Sequence, residues 1–143
     1  MPYLRITCPD LPAAKRREIA VRLTNEIVNL FFNPRANQTE AEVRSHTSVH
    51  FSPYREDELF IGGLSPSERG LPDLTVELSD WSMSVKKQRR VAKALTPVLA
   101  EVFGVPDTNE VNIRFHPYPP TDFSVGGALL ADRVPAMGRF TKN

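Results

Sequence analysis

The residue best equipped for chemistry in this 143-residue chain stands almost at its start. MPYLRITCPD places a proline directly after Met1. With Met1 removed, Pro2 carries a secondary amine at the chain end. A free α-amine titrates near about 7.7–8.0. Alkyl substitution makes a secondary amine more basic, and burial or neighbouring cations push it back down. A base poised near neutral pH suits proton transfer next to a carbonyl. The pyrrolidine ring fixes φ and gives the lone pair one direction. Enolisation then develops negative charge on oxygen, which arginines or backbone donors would stabilise. The alternative is structural: a proline opening an edge strand, where its missing N–H costs little. With Met1 in place Pro2 is an amide without a basic lone pair, so the chemistry requires that Met1 be removed.

Other chemistries find less support in the sequence. Cys8 is the only cysteine, so neither an intramolecular disulfide nor a cysteine-only zinc site can form; on a strand it reads as a small buried apolar residue. His46, His50 and His116 lack metal-site spacing. The pairs Gly62–Gly63 and Gly126–Gly127 fit neither GxGxxG nor a phosphate loop and read as turns. No cofactor is expected. KKQRR (Lys86–Arg90) has no interleaved aromatic residues and reads as a solvated helix face. A net charge of +1, with 41% hydrophobic and 24% charged residues, describes an ordinary globular chain without a field for nucleic acid or membrane. No apolar run is long enough to span a bilayer and no signal peptide is visible, so the expected location is cytoplasmic.

The elements that must position Pro2 come in two copies. VHFSPY (Val49–Tyr54) returns 64 positions later as IRFHPY (Ile113–Tyr118), each followed at the same offset by its double glycine. Ile19, Leu23, Ile27, Leu30 and Phe31 match Val91, Leu95, Leu99, Val102 and Phe103 at an offset of 72, and the difference is an insertion within residues 33–48. Both apolar sets fall on one face of a helix. Asp10 and Ser84 stand where N-caps belong, and Pro97 should kink or weaken the second helix. Short strands flank each helix: YLRIT and TSVHF, then LTVEL and VNIRF. The chain therefore reads as α+β, one domain of two β-α-β repeats (residues 2–63 and 74–127), joined by a turn-rich linker (64–73) and followed by a tail (128–143). Two such units make a four-stranded sheet with both helices on one face. Alternation turns Val49, Phe51, Ile113 and Phe115 to that face and His50 and Arg114 to the other. The uncovered face predicts an oligomer with His50 and Arg114 near the subunit contacts.

The leading proline, the β-α-β units and the FxxGG-type hairpin together resemble the tautomerase superfamily. DFSVGGALLADR (Asp122–Arg133) is similar to the C-terminal part of 4-oxalocrotonate tautomerase, and SVHFSPYREDELFIGG to a stretch of macrophage migration inhibitory factor. Two units in one chain resemble the double-length members, over residues 2–133. The resemblance implies an isomerase with Pro2 as catalytic base or acid, a small carboxylate substrate and a homotrimer with one proline site per chain. The second repeat has Asp73 or Leu74, mid-chain, where its own first residue would fall. The positions of the two substrate-binding arginines of 4-oxalocrotonate tautomerase hold Pro12 or Met83 and Ser48 or Asn112 here, which argues against that substrate. The resemblance points instead to Arg114 and Asn112 as substrate-binding residues on one side of their strand; to Arg35; to His50, the counterpart of Arg114; and to Trp81 as a pocket wall. Each of these also has a plain structural reading as a surface, interface or packing residue. The arginines of the dehalogenase and decarboxylase members are missing near Trp81–Met83. Hydration-type chemistry on an unsaturated acid and a non-catalytic trimeric binding protein remain the alternatives.

Overall fold

The computed structural model describes residues 1–137, with side chains described to Arg133. Four strands form one mixed sheet: β1 (Tyr3–Cys8), β2 (Ser48–Pro53), β3 (Leu74–Trp81) and β4 (Val111–Tyr118), in the order β2-β1-β3-β4. Each β-α-β unit contributes a parallel pair, β1 with β2 and β3 with β4, and the units meet at the antiparallel β1–β3 seam. That seam pairs Leu4 with Leu78 and Ile6 with Val76, which is the pseudo-twofold implied by the repeat.

Period-two alternation decides what is buried. Leu4, Ile6 and Cys8 of β1, and Leu74, Val76 and Leu78 of β3, are at most 1% exposed. They pack against α1 (Ala13–Phe31) and α4 (Val85–Phe103) through Ile19, Leu23, Ile27, Val91, Leu95 and Leu99. Burial of each such side chain is worth about 1.5–3 kcal/mol relative to exposure. Val49, Phe51, Ile113 and Phe115 on the edge strands flank this core from the same side. The opposite face carries Tyr3, Arg5, His50, Asn112, Arg114 and His116, all exposed.

Ser84 caps α4 as expected, its hydroxyl accepting the Lys87 N–H at 3.2 Å. Gly104 ends that helix at φ 65°, a conformation that a Cβ would strain. One local expectation is corrected. Asp10 is not the N-cap of α1: that place falls to Pro12, and the Asp10 carboxylate accepts the N–H of Leu11 at 3.0 Å. Pro97 lies inside α4, as expected, on an exposed side of a helix that runs from Val85 to Phe103. The insertion folds as α2 (Glu40–Ser45), closed by a capping box between Thr39 and Glu42. The linker contains one turn of helix, α3 (Pro66–Arg69). After β4 come the short hairpin strands β5 (Ser124–Val125) and β6 (Ala128–Leu129), then α5 (Leu130–Met137). Residues 138–143 of the expected tail lie outside the described residues.

Candidate active site at the chain's amino end

Pro2 is buried just ahead of β1, and its carbonyl accepts the Ser48 N–H at 3.0 Å. The amino group of the chain, here on Met1, lies 2.7 Å from Oδ1 of Asp80. Asp80 belongs to the alternating series Leu74, Val76, Leu78, so its carboxylate points to the helix-covered face and is 4% exposed. A carboxylate in that position is costly unless it is paired. The amino end supplies one partner. Lys87, in the first turn of α4, supplies a second, with Nζ 3.9 Å from Oδ2 of the same carboxylate.

Lys87 is held from two sides. Its Nζ lies 4.0 Å from the centre of the Phe31 ring, a cation–π contact between α4 and the end of α1. Burial pushes the Lys87 amine below the usual lysine range; Asp80 pulls it back up, and Arg90 adds to the lowering. Tyr118, at the end of β4, completes the electrostatic surround. Burial, and then the Asp80 charge, raise its hydroxyl to about 12. The Ser82 N–H donates to the Tyr118 carbonyl at 3.0 Å and ties the ends of β3 and β4 together. Ser82 itself has φ 51°, a left-handed conformation uncommon for a residue with a Cβ. That turn redirects the chain from Asp80 into the helix that carries Lys87.

The residues singled out from the sequence are not gathered within one chain. Pro2 is at this cluster. Arg114, Asn112 and His50 lie on the open face, the side away from Asp80. His50 on β2 and Arg114 on β4 occupy opposite sheet edges, three strand spacings or roughly 14 Å apart. His50 Nδ1 shares a 2.8 Å hydrogen bond with the Tyr3 hydroxyl. Arg114 is in register with Glu77, whose carboxylate lies 3.3 Å from His116. Arg35 is exposed in the loop after α1, where its N–H donates to the Asn33 side chain at 3.0 Å. Trp81 closes β3, half-buried.

Asp80, Lys87 and Tyr118 were not anticipated. Asp80 had a readable signal: in LTVELSD it takes the fourth inward position after three aliphatic residues. Lys87 was concealed within KKQRR. Lys86, Arg89 and Arg90 of that run are exposed, whereas Lys87 turns inward. Among the described residues, no three His, Cys, Asp or Glu side chains group as a metal site, and no helix is long and apolar enough to cross a membrane.

A scan against protein-family profiles finds no match, and a search of curated proteins finds none. Solved structures do match. A native fused 4-OT superposes with TM-score 0.75 at 19% identity, covering 91% of this chain and 97% of that one. Pt0534 inactivated by 2-oxo-3-pentynoate gives 0.72 at 21% identity, covering 96% and 99%. The wild-type F6 fused 4-OT, an asymmetric trimer, gives 0.73 at 17% identity, covering 96% and 99%. The chain therefore has the fold of the fused 4-OT structures.

Proposed function

We propose that this protein is a tautomerase-type enzyme in which Pro2, exposed by removal of Met1, moves a proton between carbon and oxygen of an enol or unsaturated 2-oxo acid. The observation that carries this reading is that the amino end of the chain lies at a buried carboxylate beside a second cation, with the Met1 amine 2.7 Å from Asp80 and Pro2 next to it in the chain. Loss of Met1 moves the amine inward by one residue, onto the buried Pro2. The free amine takes the proton, and Arg114 meets the charge that appears on oxygen. Arg114 belongs to this scheme as a group presented by a neighbouring subunit of a homotrimer, since its own strand turns it to the open face.

The experiment uses protein whose mass verifies the loss of Met1. Pro2→Ala should lower the rate of phenylenolpyruvate ketonisation by at least about tenfold, as expected for loss of a general base. Unchanged turnover refutes the role. In the same protein, 2-oxo-3-pentynoate, the compound that inactivated Pt0534, should add its mass to the amino-terminal peptide. A second reading, hydration of an unsaturated acid with protonated Pro2 as the acid, draws on the same ion pair, because Asp80 lies where it would hold an ammonium.

A further inference from the structure

The paired cations of this cluster have no counterpart among the described residues at the pseudo-equivalent end of the sheet, where Asp73 is the buried carboxylate beside Tyr54. The offset of 72 residues that relates the repeats matches Asp80 to Cys8 and Lys87 to Lys15. Cys8 is a buried thiol, and Lys15 pairs with Glu18 on its own helix at 3.5 Å. Where the second repeat has no amine, the Asp73 N–H donates to the Tyr54 hydroxyl at 2.9 Å. A buried carboxylate flanked by a lysine thus occurs at the end that holds the amine, and fold symmetry does not require it there.

The geometry assigns two roles from this. We propose that Lys87 is the cation that takes the substrate's carboxylate, and that Asp80 is the positioning residue that holds the terminal amine beside it. This rests on the reading of Pro2 as the proton-transfer residue. The amine of Met1 approaches Oδ1 of Asp80 and Lys87 approaches Oδ2, and the antiparallel register, carried one step past Tyr3–Ser79, sets Pro2 beside Asp80. At 3.9 Å the Lys87 contact is an ion pair and not a hydrogen bond, so its N–H donors are not spent on Asp80. The lysine side chain is 29% exposed, which keeps Nζ within reach of an anion from outside. In a 2-oxo acid the proton-exchanging carbon is two bonds from the carboxylate carbon, so one small molecule can touch both cations. The charged and titratable groups around Asp80 are the chain's amino group, Lys87 from α4 and Tyr118 from β4, with Arg90 acting on Lys87.

The test is steady-state ketonisation of phenylenolpyruvate by full-length protein lacking Met1. Lys87→Met should raise KM at least about tenfold while kcat stays within about threefold, the pattern of lost ground-state binding. Lys87→Arg should restore KM to within about threefold, and Lys86→Met should change neither constant. Asp80→Asn should lower kcat and move the pH profile of kcat/KM downward, because the amine loses a neighbouring negative charge. An unchanged KM in Lys87→Met, or in Lys87→Gln if the first variant misfolds by circular dichroism, overturns the lysine's role. A fall in kcat with no movement of the pH profile overturns the role of Asp80. If Pro2→Ala keeps full activity, the reading of Pro2 fails by itself. Calorimetry with phenylpyruvate then decides the subsite independently: at least about fivefold weaker binding to Lys87→Met upholds it, and equal affinity removes it.

Discussion

Asp80 breaks a pattern that every other inward position of its strand obeys. LTVELSD places Leu74, Val76 and Leu78 in the core and then a carboxylate at the next inward step. A charge persists there because cations reach it from the chain's amino end and from α4. The first of these is partly legible in the sequence, since the repeat pattern, added to its type and place, marks Pro2 as the reactive residue. The second was not legible, because nothing in KKQRR says which of its cations turns inward. That is settled by where Ser84 starts the helix relative to the end of β3. Cys8, the opposite number of Asp80, is a residue-scale test of the same burial. Its thiol is pushed up from 9.0 to about 11, first by desolvation and then by the Asp10 charge, with Arg16 opposing. A thiol that keeps its proton in the fold but loses it in the unfolded chain stabilises the fold below pH 9, and that contribution is lost as pH rises towards 11. Urea unfolding at pH 8 and pH 11 should show wild type losing on the order of 2 kcal/mol more than Cys8→Ala over that interval. Equal losses would place the thiol in contact with solvent.

At the scale of elements, the repeat made the sheet and both long helices legible. The apolar face at i, i+4, i+8, i+11 and i+12 recurs in α1 and α4, and the strands alternate with period two. Local ends were less legible. Asp10 has the right residue type for a cap, but α1 begins at Ala13, too far along for its carboxylate to serve. Pro97 removes one donor inside α4, and the buried face of that helix, Val91, Leu95, Leu99 and Ala100, continues across it. Packing outweighs one missing donor on an exposed side. Ser84 carries more than its cap. Its hydroxyl accepts the N–H of Lys87 and so fixes the turn from which the lysine reaches Asp80. Ser84→Ala should cost about 1 kcal/mol in urea unfolding, whereas Ser84→Asp, which keeps a capping oxygen, should stay close to wild type. Equal stability of Ser84→Ala and wild type would show that α4 needs no cap.

For the whole molecule, one face of the sheet is covered by α1 and α4 and the other is open. Tyr3 is 41% exposed on a strand inside the sheet, beside Arg5, His50 and Arg114. This open face is the one that the oligomer expected from alternation would cover, and the F6 fused 4-OT, whose fold this chain shares, is an asymmetric trimer. Sedimentation equilibrium should give the mass of three chains. A monomer at micromolar concentration would leave Arg114 without a route to the amine and would confine the site to Pro2, Asp80, Lys87 and Tyr118. The sequence could not show how the open face is filled, because alternation identifies which residues are uncovered and not what covers them.

The central claim is that the amine of Pro2, seated against Asp80, performs the proton transfer. The most direct measurement compares phenylenolpyruvate ketonisation by two preparations of the wild-type chain, one with Met1 retained and one with Met1 removed, each verified by intact mass. The account predicts turnover in the processed protein and at least about a tenfold lower rate when Met1 is retained, because Pro2 is then an amide. Equal rates in the two preparations would contradict it.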